Sequence, residues 1–275
     1  MPHTNRKKKS STNGNADTRT TGGEEQHAKK IVQPMKRIQV EDTEGWTHVV
    51  GGGKKAGGGE GWTHAGDFVR GGVAYIERTV GEMRGDWEFY AKQWEDSEAA
   101  IQLREILGGR TGVKSVVCLG LGSLQSARRE GRRCSFTQLA ALMMILEELG
   151  GTGAHKIQCV FQDPQYTETD KEFLTSLAGV VVDDPVAFDH IKEDSLVYAI
   201  HCYGPVYKTM SEGPRPAVLI GTDVDNFGRF NLTETKETIA KPLNEMVKDC
   251  EVINFPQIRH DFSDTKIYWR NKPTI

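Results

Sequence analysis

The sequence predicts an α/β domain: a Rossmann-like, mostly parallel sheet of about six strands in an order near 3-2-1-4-5, with flanking helices. Three observations lead there. The stretch from Val113 to Leu124 is an apolar, valine-rich run that ends in Gly120-Leu-Gly122-Ser123, which reads as a buried strand followed by a glycine turn. Further apolar runs follow it, most of them ending in Asp, His or Cys, and they alternate with helical periodicity. The connections between them are short, as right-handed strand–helix–strand crossovers require.

The elements follow in chain order. Residues 1–64 are expected to form a disordered arm, rich in Gly, Lys and Thr and poor in apolar residues. It carries the basic run Arg6-Lys7-Lys8-Lys9, for which a solvated tail is the simpler reading beside a nuclear localisation signal. It also carries a duplicated segment: Glu44-Gly-Trp-Thr-His48 recurs as Glu60-Gly-Trp-Thr-His64 around a Gly/Lys spacer. Two copies do not make a solenoid, and no Gly-Lys-Ser/Thr closes the spacer into a phosphate loop. Trp46 and Trp62 are candidates for docking, on the domain or on a partner.

Residues 65–275 form the expected domain. A helix is predicted over 84–107, N-capped by Asp86 and stopped by Gly108-Gly109. Strand 113–120 comes next, then a polar arginine-rich loop. Helix 135–149 follows, with Ser135 and Gln138 as a capping box and Leu139, Leu142 and Leu146 facing inward. Strand 157–162 ends at Asp163-Pro164, helix 167–178 follows, and strand 179–182 leads to Asp184-Pro185. Strand 195–201 ends at Cys202, Pro205–Met210 make a short helix, and strand 216–221 ends at Asp223. A helix over about 234–249, kinked at Pro242, and a last strand 251–255 precede a tail containing Tyr268 and Trp269.

Composition narrows the function classes. The chain is 37% hydrophobic with a net charge of −3, so nothing general favours nucleic acid or an anionic membrane. No apolar run reaches the roughly 18 residues of a membrane span. The five Cys form no CxxC pair, and Cys118, Cys159 and Cys202 fall in predicted strands. That pattern points to a reducing compartment, and no zinc or other metal site is expected.

In a sheet of this kind ligands bind at the carboxyl ends of the strands, at the switch point. The candidate site is therefore the rim that gathers Gly120, Gly122, Ser123, Asp163, His201, Cys202 and Asp223. Gly120 and Gly122 let a ligand approach backbone amides, although the third glycine of a dinucleotide fingerprint is replaced by Gln125. Asp163 stands where an acidic residue grips a ribose, or simply caps its turn. These cofactor-binding candidates suit S-adenosylmethionine or a nucleotide. His201, Cys202 and Asp223 are the catalytic candidates, but neighbours on a strand point to opposite faces, so His201 and Cys202 are not expected to act as a pair. Arg128, Arg129, Arg132 and Arg133 either hold an anionic ligand or form a solvated loop.

Taken together, Val117-Cys-Leu-Gly-Leu-Gly-Ser123, Gln138-Leu-Ala-Ala-Leu142, Gln162-Asp-Pro164 with Asp170, Ala199-Ile-His-Cys202 with Val206-Tyr207, and Val218-Leu-Ile-Gly221 resemble the Sensitivity to Red Light Reduced-like family, in its block order, over about residues 70–225. Trp46-Thr47-His48-Val49 is similar to a segment seen upstream in fungal members; its duplication is a departure. The resemblance implies a Rossmann-like domain and a regulatory role in light and circadian signalling or control of haem biosynthesis. It further implies residence in cytoplasm and nucleus and brings no established catalytic residues; the incomplete fingerprint and the lack of an assembled catalytic set point to protein partners. The expectation is thus a partner-binding or ligand-sensing regulator. An S-adenosylmethionine- or nucleotide-dependent transferase is the alternative, and nucleic-acid binding ranks last for want of interleaved aromatics.

Overall fold

The computed structural model describes residues 37–41, 47–51, 66–150, 157–229 and 236–271. The chain divides into two units, Met1–Gly61 and Trp62–Ile275. In the first, β1 (Arg37–Glu41) and β2 (Thr47–Gly51) pair antiparallel, with Arg37 opposite Gly51. Ten residues of the expected disordered arm are therefore a hairpin. The basic run, Trp46, Trp62 and most of both Glu-Gly-Trp-Thr-His copies lie outside the described residues.

The second unit opens with the short antiparallel pair β3 (Phe68–Arg70) and β4 (Val73–Tyr75). Helices α1 (Val80–Glu95) and α2 (Glu98–Leu107) follow. They replace the single helix expected over 84–107. Thr79, not Asp86, caps α1 in a full capping box with Glu82. Ser97 accepts the Ala100 N–H at 3.1 Å and starts α2, because a Ser side chain competes with the helix for backbone donors and favours a cap.

The central sheet has seven strands, not about six. They are β5 (Ser115–Leu119), β6 (Gln158–Gln162), β7 (Val180–Val181), β8 (Ser195–Ala199), β9 (Val218–Thr222), β10 (Cys250–Asn254) and β11 (Thr265–Arg270). The order is β10-β11-β9-β8-β5-β6-β7. Strands β5 to β9 are mutually parallel and follow the expected 3-2-1-4-5 arrangement. The correction lies at the far edge, where β11 runs antiparallel between β9 and β10. Its residues were expected as a tail, yet Ile267 and Tyr268 are buried. The reversal is made by residues 255–264. Phe255 stacks on Phe262 with centroids 4.6 Å apart, and the Gln257 amide donates to both their carbonyls, at 2.8 and 2.7 Å. This connection turns the chain so that the Thr-Lys-Ile-Tyr-Trp-Arg run can satisfy the open backbone edge of β9.

Strand β5 is apolar on both sides because both faces of the sheet are covered. Val116 and Cys118 pack under α1, α2 and α3 (Arg129–Gly150) with Met83, Leu103, Phe136 and Leu139. Val117 and Leu119 pack on the other side with Tyr207 and Met210 of α5 (Gly204–Ser211) and Leu243 and Met246 of α7 (Lys236–Met246). Each such fully buried Leu, Val, Phe or Met contributes roughly 1.5–3 kcal/mol. Helix α4 (Glu168–Ser176) joins the first face, and Val186–His190 form a 3-10 turn; α6 (Asn226–Arg229) completes the set.

Helix α3 begins six residues before the expected Ser135, so most of the arginine-rich loop is its first two turns. The expected capping box does not form. Ser135 instead donates back to Gly131 O at 3.1 Å, and Gln138 reaches Asp261 O at 2.9 Å. The early turns hold because Arg132 donates to Ser126 O at 2.6 Å and Arg133 pairs with the buried Asp261.

Candidate functional site

The carboxyl ends of the parallel strands bring the seven predicted residues to one rim, and the chain has split them into two separately bonded halves. On the β5–β6 side, Gly120 and Gly122 adopt φ values of +68° and +82°, a region that favours glycine. Gly120 N–H donates to Gln162 O at 3.0 Å. Gly122 N–H donates to Asp163 Oδ2 at 2.7 Å, and Gln165 N–H reaches Oδ1 at 2.7 Å. Asp163 thus grips the glycine turn itself. Burial pushes its carboxyl above the ordinary range, opposed by those two backbone donors.

Beneath this turn lies a fully buried carboxylate, Asp170. It accepts from Ser123 Oγ at 2.6 Å, Leu124 N–H at 3.0 Å and Thr167 N–H at 2.8 Å. Thr167 caps α4, receives the Asp170 N–H at 3.0 Å, and hydrogen-bonds the Gln125 amide oxygen. The Gln125 amide nitrogen donates to Ile76 O and Arg78 O, both at 3.3 Å. Residues Ser123, Gln125, Thr167 and Asp170 form one buried network that fastens the glycine turn to α4 and to the segment before α1. Burial raises the Asp170 carboxyl against the pull of these donors.

On the β8 side, Cys202 and His201 part company. The Cys202 thiol donates to Leu119 O at 3.2 Å and lies over Gly120, where an added Cβ would come within 2.5 Å of its sulfur. Burial pushes this thiol up to about 12, so it is held as the neutral thiol at physiological pH. His201 is exposed, in the left-handed region at φ +55°, with Nε2 2.9 Å from Ser263 O. The two side chains are bonded to different carbonyls on different segments.

Further along the rim, Tyr207 Oη is fully buried between β8 and β9. It donates to Ala199 O and accepts the Thr222 N–H at 2.6 Å, above Gly221, where any Cβ would collide with it. Tyr268 Oη accepts the Val224 N–H at 2.9 Å and donates to Asp223 Oδ1 at 3.2 Å. Asp223 also receives the Asp225 N–H at 3.1 Å and stands 3.9 Å from Lys266 Nζ. Its oxygens are therefore engaged in the turn. Among the described residues no group of three His, Cys, Asp or Glu is placed to hold a metal ion.

Of the four loop arginines, Arg132 and Arg133 are anchored on the protein, and Arg128 and Arg129 are exposed. A cleft of about 960 Å3 opens at the opposite, amino-terminal end of the strands, lined by Lys192, Arg215, Trp269 and Arg270. None of the seven predicted rim residues lines it.

Apart from Ser123, the buried network consists of residues to which sequence reasoning gave no role in the site. Thr167-x-x-Asp170 is a capping-box pattern, and that signal was available. That the same Asp170 also reaches Ser123 and Leu124 was not visible, since those contacts span more than forty residues.

A family model described as SRR1 domain matches residues 99–269. No curated protein matches the chain. Among solved structures, a protein from Corynebacterium glutamicum aligns with 15% identity over 71% of this chain and 91% of its own, at a TM-score of 0.39. Aeropyrum pernix fibrillarin, solved with natively bound S-adenosyl-L-methionine, aligns with 12% identity over 84% of this chain and 92% of its own, at 0.33. At these scores neither superposition establishes a common fold.

Proposed function

This chain belongs to the SRR1 domain family, and we propose that it is a regulatory protein whose Rossmann-like domain is a platform for protein partners. The observation that carries this reading is that the crevice is filled by the chain's own groups. A ligand site of this architecture keeps glycine amides open at the strand ends. Here the Asp163 carboxylate takes the Gly122 N–H, and the Cys202 thiol covers Gly120. No nucleophile–base–orienter set is supported, because His201 and Cys202 are tied to separate carbonyls and the thiol is held neutral. The family resemblance adds the finer settings to the proposal: light and circadian signalling or control of haem biosynthesis, acting in cytoplasm and nucleus.

A second reading is favoured by one observation. The order 3-2-1-4-5, with a reversed strand inserted before the last, is a methyltransferase-like arrangement, an argument by fold analogy alone. In that reading the protein is an S-adenosylmethionine- or nucleotide-dependent transferase. Asp163 exchanges the Gly122 N–H for ligand hydroxyls, and Cys202 moves off Gly120.

The deciding experiment is a thermal-shift series on the full chain with S-adenosylmethionine, its demethylated product, nicotinamide and adenine nucleotides, and haem. A ligand at one hundred times its dissociation constant stabilises by roughly 2.7 kcal/mol, a shift of a few degrees. The platform reading expects no shift with any of them. A shift that disappears in Asp163→Ala and Gly122→Val overturns it in favour of the transferase.

A further inference from the structure

We propose that the β3–β4 hairpin is a strap that closes the β5–β6 half of the crevice over the Gly122–Asp163 bond, latched by Arg70 on one side and hinged at residues 74–78 on the other. This goes beyond both readings of the crevice, since its test asks how the rim opens and not what it binds.

The hairpin stands outside the central sheet. Gly71 and Gly72, with φ of +55° and +76°, make its two-residue turn, and Phe68 stands opposite Tyr75. Side chains alternate along a strand, so its two faces differ. Val69 and Ala74 share the outer face, where Val69 is 71% exposed. Phe68, Arg70 and Tyr75 share the inner one. The Phe68 and Tyr75 rings stack with centroids 5.0 Å apart, and the Arg70 guanidinium lies 5.8 Å from the Tyr75 ring centre.

Tyr75 is 2% exposed, yet it belongs to neither of the two hydrophobic cores that flank the sheet. It is buried at the rim. Burial raises its phenol, the Arg70 guanidinium opposes that rise, and the Asp163 and Asp170 carboxylates add to it.

The bonds that join the hairpin to the domain fall on either side of the Gly122–Asp163 bond. On the β5 side, Ile76 N–H donates to Gln125 O and Ala127 N–H donates to Ala74 O, both at 2.9 Å. The buried Gln125 amide adds its bonds to Ile76 O and Arg78 O, so this side is tied to the network around Asp170. On the β6 side, Arg70 Nη2 donates to Tyr166 O. Tyr166 closes the turn that Asp163 begins, its N–H reaching Asp163 O at 3.2 Å. The strap thus runs from the residues that follow Gly122 to those that follow Asp163.

The contrast between the two sides sets the direction of opening. The hinge is made of paired backbone groups and a buried amide. The latch is an exposed arginine on a neutral carbonyl. Water competes for that bond, and holding so long a side chain costs rotamer freedom, so the latch is the side that lets go.

The test is amide hydrogen exchange, read residue by residue on the full chain, for the wild type, Arg70→Ala and Tyr75→Ala. Gly122 and Gln165, whose N–H groups are both held by Asp163, report the closed crevice. Val117 and Leu219, in the core of the sheet, report the whole domain. Arg70→Ala should speed exchange at Gly122 and Gln165 at least about tenfold, as the loss of a charged hydrogen bond implies, and leave Val117 and Leu219 unchanged. Tyr75→Ala should act on the same two amides and further. Unchanged exchange at Gly122 and Gln165 in both variants shows that the crevice is closed without the hairpin. Equal acceleration at Val117 and Leu219 makes the hairpin an ordinary part of the fold. Either result overturns the proposal.

Discussion

The two halves of the crevice are closed by different chemistry. On the β5–β6 side two carboxylates, Asp163 and Asp170, collect backbone and hydroxyl donors. On the β8–β9 side two phenols, Tyr207 and Tyr268, bridge strand ends, Tyr207 through backbone groups and Tyr268 through the Val224 N–H and the Asp223 carboxylate. Both arrangements hold a loop against a strand, and in the first burial raises the two carboxyls that do so. Burial raises the phenols further from neutrality. The comparison teaches that folding shifts the carboxyls of one wall toward neutrality and the phenols of the other away from it.

The largest expected effect breaks the carboxylate wall. Asp170→Ala leaves the Ser123 hydroxyl and the Leu124 and Thr167 N–H groups buried without their acceptor. Equilibrium urea unfolding should show a loss of about 3–5 kcal/mol. Next comes the phenol wall. Gly221→Ala drives a methyl group into the Tyr207 hydroxyl and is expected to cost about 2–3 kcal/mol in the same measurement. Tyr207→Phe keeps the ring but strands the Thr222 N–H and the Ala199 carbonyl, at a cost of about 1–2 kcal/mol.

The pH dependence sharpens the contrast. Asp163 and Asp170 hold their protons more tightly in the folded chain than in the unfolded one. The folded state therefore binds more protons as pH passes from the ordinary carboxylate value, about 4, up to their raised values. Their contribution to stability is fully present below that window and is lost as pH rises through it. Asp170→Asn should flatten the stability profile in this range, and Tyr207→Phe should leave its shape as in the wild type, as unfolding at a series of pH values would reveal.

The smallest effect belongs to His201. It is exposed, holds one bond to Ser263 O, and sits at φ +55°. His201→Gly should be within about 0.5 kcal/mol of wild type, because relief of the left-handed backbone offsets the lost bond. A loss much beyond that would place His201 among the residues that build the rim.

Much of the parallel half of the sheet was legible in the chain. Val116–Leu119, Cys159–Phe161, Leu196–Ala199 and Val218–Gly221 are continuous apolar runs, the mark of strands covered on both faces. The antiparallel edge was less so. Thr265–Arg270 mixes charged and aromatic residues, and its strand character depends on β9 and β10 lying on either side. The seven rim residues were likewise located by a simple rule, since strand ends gather at one side of a parallel sheet.

What the sequence determined by itself is therefore local: which runs are apolar and where glycine permits a positive φ. What only the tertiary structure decided is the partnership of polar groups. Whether Asp163 faces a ligand or the Gly122 amide, and whether Cys202 is exposed or lies over Gly120, depends on loops from distant strands meeting at the rim. A hydrogen bond is a matter of tenths of an ångström between atoms far apart in the chain. Hydrophobic periodicity carries no information at that scale.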